Sequence, residues 1–399
     1  FITRVTEGTL EHMIELDYIL NQFSKVKVNK MKPVIRNILR SAVYQLKYMD
    51  SVPDSAVCNE AVKLAVKKGF GTLRGFVNGV LRNVDQVEYP TEGIERLSVV
   101  YSMPEWILKL WKKTYDLDVI ESMLQAFQEE TPVTIRCNLA KTTPENLKES
   151  LQKEGVTVTP HPYLSYAFWI QDYDHLSELE SFQKGEFYVQ DISSMLVGEL
   201  ADPKKGDRVI DVCAAPGGKA LHVAEKLRGT GSVEARDLSL YKVGLITENI
   251  ERSGLTNIHA VQKDATVCDA DVKDAADLVI ADLPCSGLGV LAKKTDLKYK
   301  ATEQSTKELA GLQREILKNA ASYVRPGGTL IYSTCTINPA ENIENVHWFL
   351  KEFPEFVLDP IADRLCSTLQ NSVEEAGCLQ LLPGIHKSDG FFIARFGKK

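Results

Sequence analysis

Five apolar runs separated by helical stretches fill the second half of the chain, and no other feature narrows the fold as much. RVIDVC (208–213), SVEA (232–235), NIHAV (257–261), DLVIAD (277–282) and GTLIYST (328–334) each read as a buried strand. Between them lie the helical KALHVAEKL, a helix over 240–252 and another around 304–323; a further one runs from Pro339 to about 351. Strands alternating with helices are joined by crossovers, so the expected fold class is α/β with a doubly wound, mostly parallel sheet. The tail departs from this pattern. CLQLL (378–382) and FFIARF (391–396), linked by PGIHKSDG, read as a closing antiparallel pair.

The first 89 residues read as all helix. Pro33 suits a first helical turn, and Val34, Ile35, Ile38, Leu39, Ala42, Val43 and Leu46 follow at helical spacing. Asp54 is placed to cap a second helix and Thr72 a third. The charge is lopsided. The chain carries −7 overall, yet residues 24–85 hold twelve Lys/Arg against four acids, so that segment is +8 and the remainder −15. A basic patch on an acidic protein is the footprint of a polyanion-binding surface; the competing reading is a solvated helical face. Arg36, Arg40 and Lys47 share one stripe and are the expected phosphate contacts. Residues 90–185 read as a small mixed α/β module. It has amphipathic helices near Trp106, Trp111 and Ile120, strands at 134–138, 156–158 and 167–170, and a helix after Pro144. Phe168 and Trp169 can stack on bases, against the commoner use of aromatics as packing. Three domains are expected: 1–89, 90–185 and 186–399.

Composition excludes other classes. With 44% hydrophobic and 25% charged residues the chain is neither collagen-like nor largely disordered. No run approaches the ~18 apolar residues of a membrane span, and no secretory signal pattern opens the chain. It begins at Phe1 inside an expected helix, so an N-terminal truncation is expected. The eight cysteines form no C-x-x-C pair and the seven histidines no H-x-x-x-H pair. Neither a disulfide framework nor a metal site is expected, and a reducing, cytoplasmic compartment is.

The chemistry gathers at the carboxyl ends of the five strands. The first ends in DVCAAPGGK, Asp211 to Lys219. Glycines between a strand and a helix let a ligand approach the helix N-terminus, in the usual crevice of such sheets. G-x-G-x-x-G is absent, which argues against a dinucleotide. Asp237 follows the second strand and is placed to accept from two ribose hydroxyls; Asp264 follows the third and is placed near an adenine edge. An adenosine ligand without pyrophosphate suits three such positions. The fourth strand leads to Asp282 and Cys285, the fifth to Cys335. A buried cysteine is ordinarily inert packing. Two of them together at the ligand edge point to chemistry, whereas Cys58, Cys137, Cys366 and Cys378 have no such setting.

CAAPGGK, DLPCSG, RPGGTLIYSTCT and the terminal DGFF resemble the motifs of RNA cytosine-5 methyltransferases of the Sun and Nop families. VPDSAVCNEAVKLA (52–65) and GFVNGVLRN (75–83) resemble the last helices of a NusB-type RNA-binding domain, whose first helices are then missing. That domain order is similar to the RsmB subgroup, which acts on small-subunit (16S) ribosomal RNA. The resemblance implies a Rossmann-like methyltransferase sheet and S-adenosylmethionine as methyl donor. It implies a cofactor site of Cys213, Ala214, Ala215, Pro216, Gly217, Gly218, Lys219, Asp237, Lys242, Asp264 and Asp282, with Cys213 as packing within the turn. Lys242 stands where the family usually has Arg, and Thr295 where it often has Pro. The resemblance also implies that Cys335 is the nucleophile adding to carbon 6 of cytosine, that Asp282 supports N3, and that Cys285 assists release. For Asp282 to donate, burial would have to raise its pKa. The implied partner is ribosomal RNA, met by a monomer without metal or membrane. Two other readings compete. A non-catalytic assembly factor on the same scaffold is opposed by the retained cysteines, and a nicotinamide oxidoreductase by the missing fingerprint.

Overall fold

The computed structural model describes residues 1–373 and 375–399. They form two compact units: Phe1–Gln128 with Leu291–Lys300, and Glu129–Val290 with Ala301–Lys399.

The first unit is helical. It contains α1 (Ile2–Glu11), α2 (Met13–Phe23), α3 (Pro33–Tyr48), α4 (Asp54–Lys67), α5 (Arg74–Leu81), α6 (Gly93–Val100), α7 (Glu105–Trp111) and α8 (Leu117–Gln128). Pro33 opens α3 as expected, and Ile35, Ile38, Leu39, Ala42 and Val43 are its buried stripe. They pack with Leu16, Ile19 and Leu20 of α2, Ala61 and Ala65 of α4, and Val77 and Val80 of α5. Two expected caps are corrected. Pro53 occupies the cap position of α4, so Asp54 falls inside the first turn, where its charge meets the helix dipole. Thr72 lies in a tight 3-10 turn, Gly71–Leu73, which delays α5 to Arg74. Within the basic stripe, Arg40 and Lys47 are engaged in ion pairs. Arg40 donates to both oxygens of Asp17 (2.6 and 2.5 Å), and Lys47 pairs with Glu15 at 3.2 Å. The cations left exposed include Lys67, Lys68, Arg74 and Arg82.

A piece of chain from far downstream completes this unit. The short helix Leu297–Lys300 follows buried Leu291. Lys298 donates to the Glu11 carbonyl at 2.8 Å, and the Tyr299 hydroxyl lies 3.3 Å from Ser102 Oγ. Burial pushes the Lys298 ammonium down to about 8.

The second unit holds two sheets. The smaller has β1 (Val133–Cys137), β2 (Thr157–Pro160), β3 (Ala167–Gln171) and β4 (Phe187–Val189), in the order β2-β3-β1-β4 and antiparallel throughout. Thr143 caps α9 (Pro144–Lys153), which lays Leu147 and Leu151 on Ile135, Phe168 and Ile170. Phe168 is therefore core. Trp169 faces the other way, its ring 4.4 Å from that of His161 and its face under Lys387. Arg136, wholly buried, bonds Gln190 (2.7 Å) and pairs with Glu225 (3.0 Å).

The larger sheet is the doubly wound one. After α10 (Ile192–Ala201) come β5 (Arg208–Asp211), α11 (Gly218–Lys226), β6 (Ser232–Asp237), α12 (Leu240–Ser253), β7 (Ile258–Gln262), β8 (Ala276–Asp282), α13 (Glu303–Tyr323), β9 (Val324–Thr334) and α14 (Ile343–Glu352). The parallel core runs β7-β6-β5-β8-β9. One face is covered by Leu196, Leu200, Val223 and Ala224, the other by Ile316, Leu317, Val346 and Phe349. The closing pair is present as β11 (Cys378–Leu381) and β12 (Phe391–Lys398), with β12 also bonded to β9 and to β10 (Phe356–Leu358). Strand order reverses between β5 and β8, which opens a crevice at their carboxyl ends.

Candidate active site

The turn after β5 is held almost wholly by backbone. Ala214 N–H donates to the Arg236 carbonyl (2.8 Å), Ala215 N–H to Asp237 Oδ2 (3.1 Å) and Gly217 N–H to the Ala214 carbonyl (2.7 Å). The Ala215–Pro216 bond is cis, and Gly217 adopts φ +111 at the start of α11, a conformation costly for any side chain. Its amide end therefore opens onto the crevice. Cys213 is held in this turn with its thiol pushed up by burial and the nearby carboxylates.

Asp237 ends β6, nearly buried, with Oδ1 3.1 Å from Lys242 Nζ. A ligand reaching this carboxylate meets Lys242 beside it. Asp264 lies just beyond β7 in an exposed turn, accepting from Thr266 N–H (2.9 Å) and Oγ1 (2.7 Å). Those bonds hold its carboxyl below the usual range. The Asp237 carbonyl takes the Lys263 N–H at 3.0 Å, so the two acids sit on adjacent strand ends.

Asp211 is the residue whose role the motif alone did not disclose. It is fully buried, and Oδ2 has no hydrogen-bond partner. Complete burial, followed by the charge of Asp282, pushes it up to about 8. An orphaned buried oxygen, a left-handed glycine and a helix N-terminus at one strand end suit a ligand carrying both polar donors and an anionic group.

On the other side, Asp282 ends β8. It pairs with Lys219 Nζ at 2.7 Å and accepts from Ser333 Oγ at 2.7 Å. Its side chain is 27% exposed. Asp282 stands here as an ion-paired acceptor. Burial works to lower Lys219, but Asp282 and Asp211 outweigh it and hold the ammonium above its ordinary range. Lys219 also lies over the Phe391 ring, 5.3 Å from its centre.

The two strand-end thiols meet. Cys285 Sγ and Cys335 Sγ are 3.0 Å apart, and Cys335 N–H donates to Cys285 Sγ at 3.2 Å. The hydrogen bond to Cys335, then burial, then the charges of Cys335 and Glu341 push the Cys285 thiol well up. Among the described residues no group of three or more His, Cys, Asp or Glu side chains could hold a metal ion, and no helix is long and apolar enough to cross a membrane.

Comparison with known proteins agrees with this geometry. A family model described as 16S rRNA methyltransferase RsmB/F matches residues 199–397. A NusB family model matches 1–86, and an RsmF/B-like ferredoxin-like domain matches 103–173. The probable ribosomal RNA small subunit methyltransferase B of Bacillus subtilis is 37% identical over 100% of this chain and 90% of its own. The methyltransferase F of Escherichia coli O81 is 35% identical over 70% of this chain and 59% of its own. Among solved structures, that of PH0851 aligns with 27% identity and TM-score 0.84 over 99% of this chain and 89% of that one. NSun6 of Pyrococcus horikoshii, solved with the S-adenosylmethionine analogue SFG, aligns at 25% identity and TM-score 0.66 over 75% and 99%.

Proposed function

Because the chain belongs to the RsmB/F family of 16S rRNA methyltransferases, with S-adenosylmethionine as methyl donor, we propose that it methylates carbon 5 of a small-subunit rRNA cytosine through a covalent Cys335 adduct. The observation carrying this reading is the Cys285–Cys335 thiol pair, 3.0 Å apart beside the Lys219–Asp282 pair. The NusB match and the end-to-end similarity to a type B relative support type B over type F. The three matched segments support the division 1–89, 90–185 and 186–399. The rRNA substrate supports a cytoplasmic location.

Carbon 5 of cytosine is a poor nucleophile. The Cys335 thiolate forms a C–S bond to carbon 6 and pushes the ring electrons toward carbon 5. S-adenosylmethionine supplies an electrophilic methyl group on a sulfonium. The turn Cys213–Lys219, with Asp211, Asp237, Lys242 and Asp264, is proposed to hold it. Lys219 and Ser333 are the donors beside Asp282, which as a carboxylate accepts from the base's amino group. In the last step the carbon 5 proton leaves to a solvent base, the C–S bond breaks, and its electron pair returns to Cys335. The Cys285 thiol donates a hydrogen bond to that departing sulfur. The target base must leave its stack to reach this pocket.

The mutants Cys335→Ala and Cys285→Ala test the assignment on a denaturing gel with rRNA and S-adenosylmethionine. Cys285→Ala should accumulate a slow band, resistant to thiol reductants and removed by ribonuclease; Cys335→Ala should give none. The reverse pattern would transfer the nucleophile to Cys285.

A further inference from the structure

Glu341 lies outside both the cofactor set and the catalytic set, yet it is fully buried between the two cysteine loops. Its Oε1 accepts from Ser286 Oγ (2.5 Å) and Asn338 Nδ2 (2.9 Å). Its Oε2 accepts from Ser286 N–H (2.9 Å) and Gln313 Nε2 (3.0 Å). Ser286 directly follows Cys285, and its hydroxyl also meets Thr336 Oγ1 at 2.8 Å, directly after Cys335. Gln313 closes the grip from the other side by donating to the carbonyl of Pro284 at 2.9 Å. One carboxylate thus fixes the residues flanking Cys285 and, through Ser286, the residue after Cys335.

All four donors are uncharged. A buried carboxylate without a bonded cation is expensive, and an apolar side chain of similar volume would pack the loop at lower cost. Three of the four, the Ser286 N–H and the amides of Asn338 and Gln313, can only donate, which suits the carboxylate. Its charge is felt at Cys285, whereas the ammonium of Lys219 is close enough to interact with Cys335. The other ionisable groups facing Cys285 are Cys335 and Tyr332, whose hydroxyl donates to the Glu341 carbonyl.

We propose that Glu341 is a positioning residue of the transfer site, locking the Cys285 loop to the Cys335 loop and, as a negative charge beside Cys285, leaving Cys335 as the thiol that ionises. This rests on the two-thiol reading above. Glu341→Gln keeps the shape and removes the charge; Ser286→Ala keeps the charge and removes the bridge. The decisive readout is the pH dependence of iodoacetamide alkylation at Cys285, followed by peptide mass spectrometry in a Cys335→Ala background.

Glu341→Gln should lower the alkylation midpoint by about one to two pH units, and Ser286→Ala should leave it in place. In the otherwise native protein, Glu341→Gln should cut kcat at least ~10-fold with S-adenosylmethionine affinity unchanged. An unmoved midpoint in Glu341→Gln overturns the proposal, and so does an equal shift in Ser286→Ala. Should the Gln variant not fold, Glu341→Asp carries the test. It retracts the charge by one methylene, so the midpoint should fall by a smaller amount, and no fall refutes the idea. A missing Cys285→Ala adduct would instead strike the two-thiol reading. A normal adduct pattern with an immobile midpoint strikes Glu341 alone.

Discussion

Replacing Asp211 with Asn should stabilise the protein, by an amount that grows with pH. In the native state the carboxyl is sealed from water and pushed up to about 8. In the unfolded chain it titrates near 3.9. Below pH 4 both states hold the proton and the group is neutral to stability relative to Asn. Between pH 4 and 8 the native state keeps a proton that the unfolded state releases, so stability falls as pH rises, by about 1.4 kcal/mol per pH unit. At pH 7 the accumulated loss is about 4 kcal/mol. Asn has no proton to lose and escapes the whole of it. It also fits the site, because Oδ1 takes only a long bond from Cys213 N–H (3.4 Å) and Oδ2 has no partner. The assay is scanning calorimetry of both proteins, without cofactor, from pH 4.5 to 8. The two should converge at the acid end and diverge steadily above it. A constant gap across that range would mean that burial does not keep Asp211 protonated.

Other perturbations separate other links. Asp237→Ala removes the acceptor of Ala215 N–H and the proposed ribose contact; calorimetry should show S-adenosylmethionine affinity at least ~10-fold weaker, and unchanged affinity would take Asp237 out of the site. Reversing the exposed Lys67, Lys68 and Arg74 together should weaken RNA binding and flatten its log–log salt slope by about 0.7 per lost contact to single strands, with cofactor binding intact. Arg40→Ala should instead act on stability, costing about 1 kcal/mol in denaturant titration, because Arg40 is spent on Asp17. Arg136→Met leaves Glu225 buried and unpaired and should cost about 3–5 kcal/mol; a loss below ~1 kcal/mol would mean that the pair is dispensable.

The large sheet was readable because a parallel sheet covered on both faces writes each strand as an apolar run, as DLVIAD and GTLIYST do. β4 and β10, three residues each, are too short to register any period. The caps of α4 and α5 were misplaced because a proline and a 3-10 turn decide the start locally, whatever the nearby Asp or Thr offers. The strand-end positions of Asp237, Asp264, Asp282, Cys285 and Cys335 followed from counting along strands. What each touches did not. The Arg40–Asp17 pair joins residues 23 apart, and Ser286–Glu341 joins residues 55 apart. No periodicity reports such contacts. INPAENIENV carries two glutamates, Glu341 and Glu344, and nothing in the run of residues marks the first as the buried one.

The helix Leu297–Lys300 bears on how the protein is made. The N-terminal unit depends on bonds from Lys298 to Glu11 and from Tyr299 to Ser102, so it closes only after residue 300 has been synthesised. By then four strands of the catalytic sheet, β5 to β8, have already been synthesised. Translation adds roughly 5–20 residues per second, so the stretch from Gln128 to Lys298 takes about 10–30 s. Nascent chains halted before residue 297 should be more open to protease around Glu11 and Ser102 than chains halted far enough beyond 300 for this helix to emerge from the ribosome.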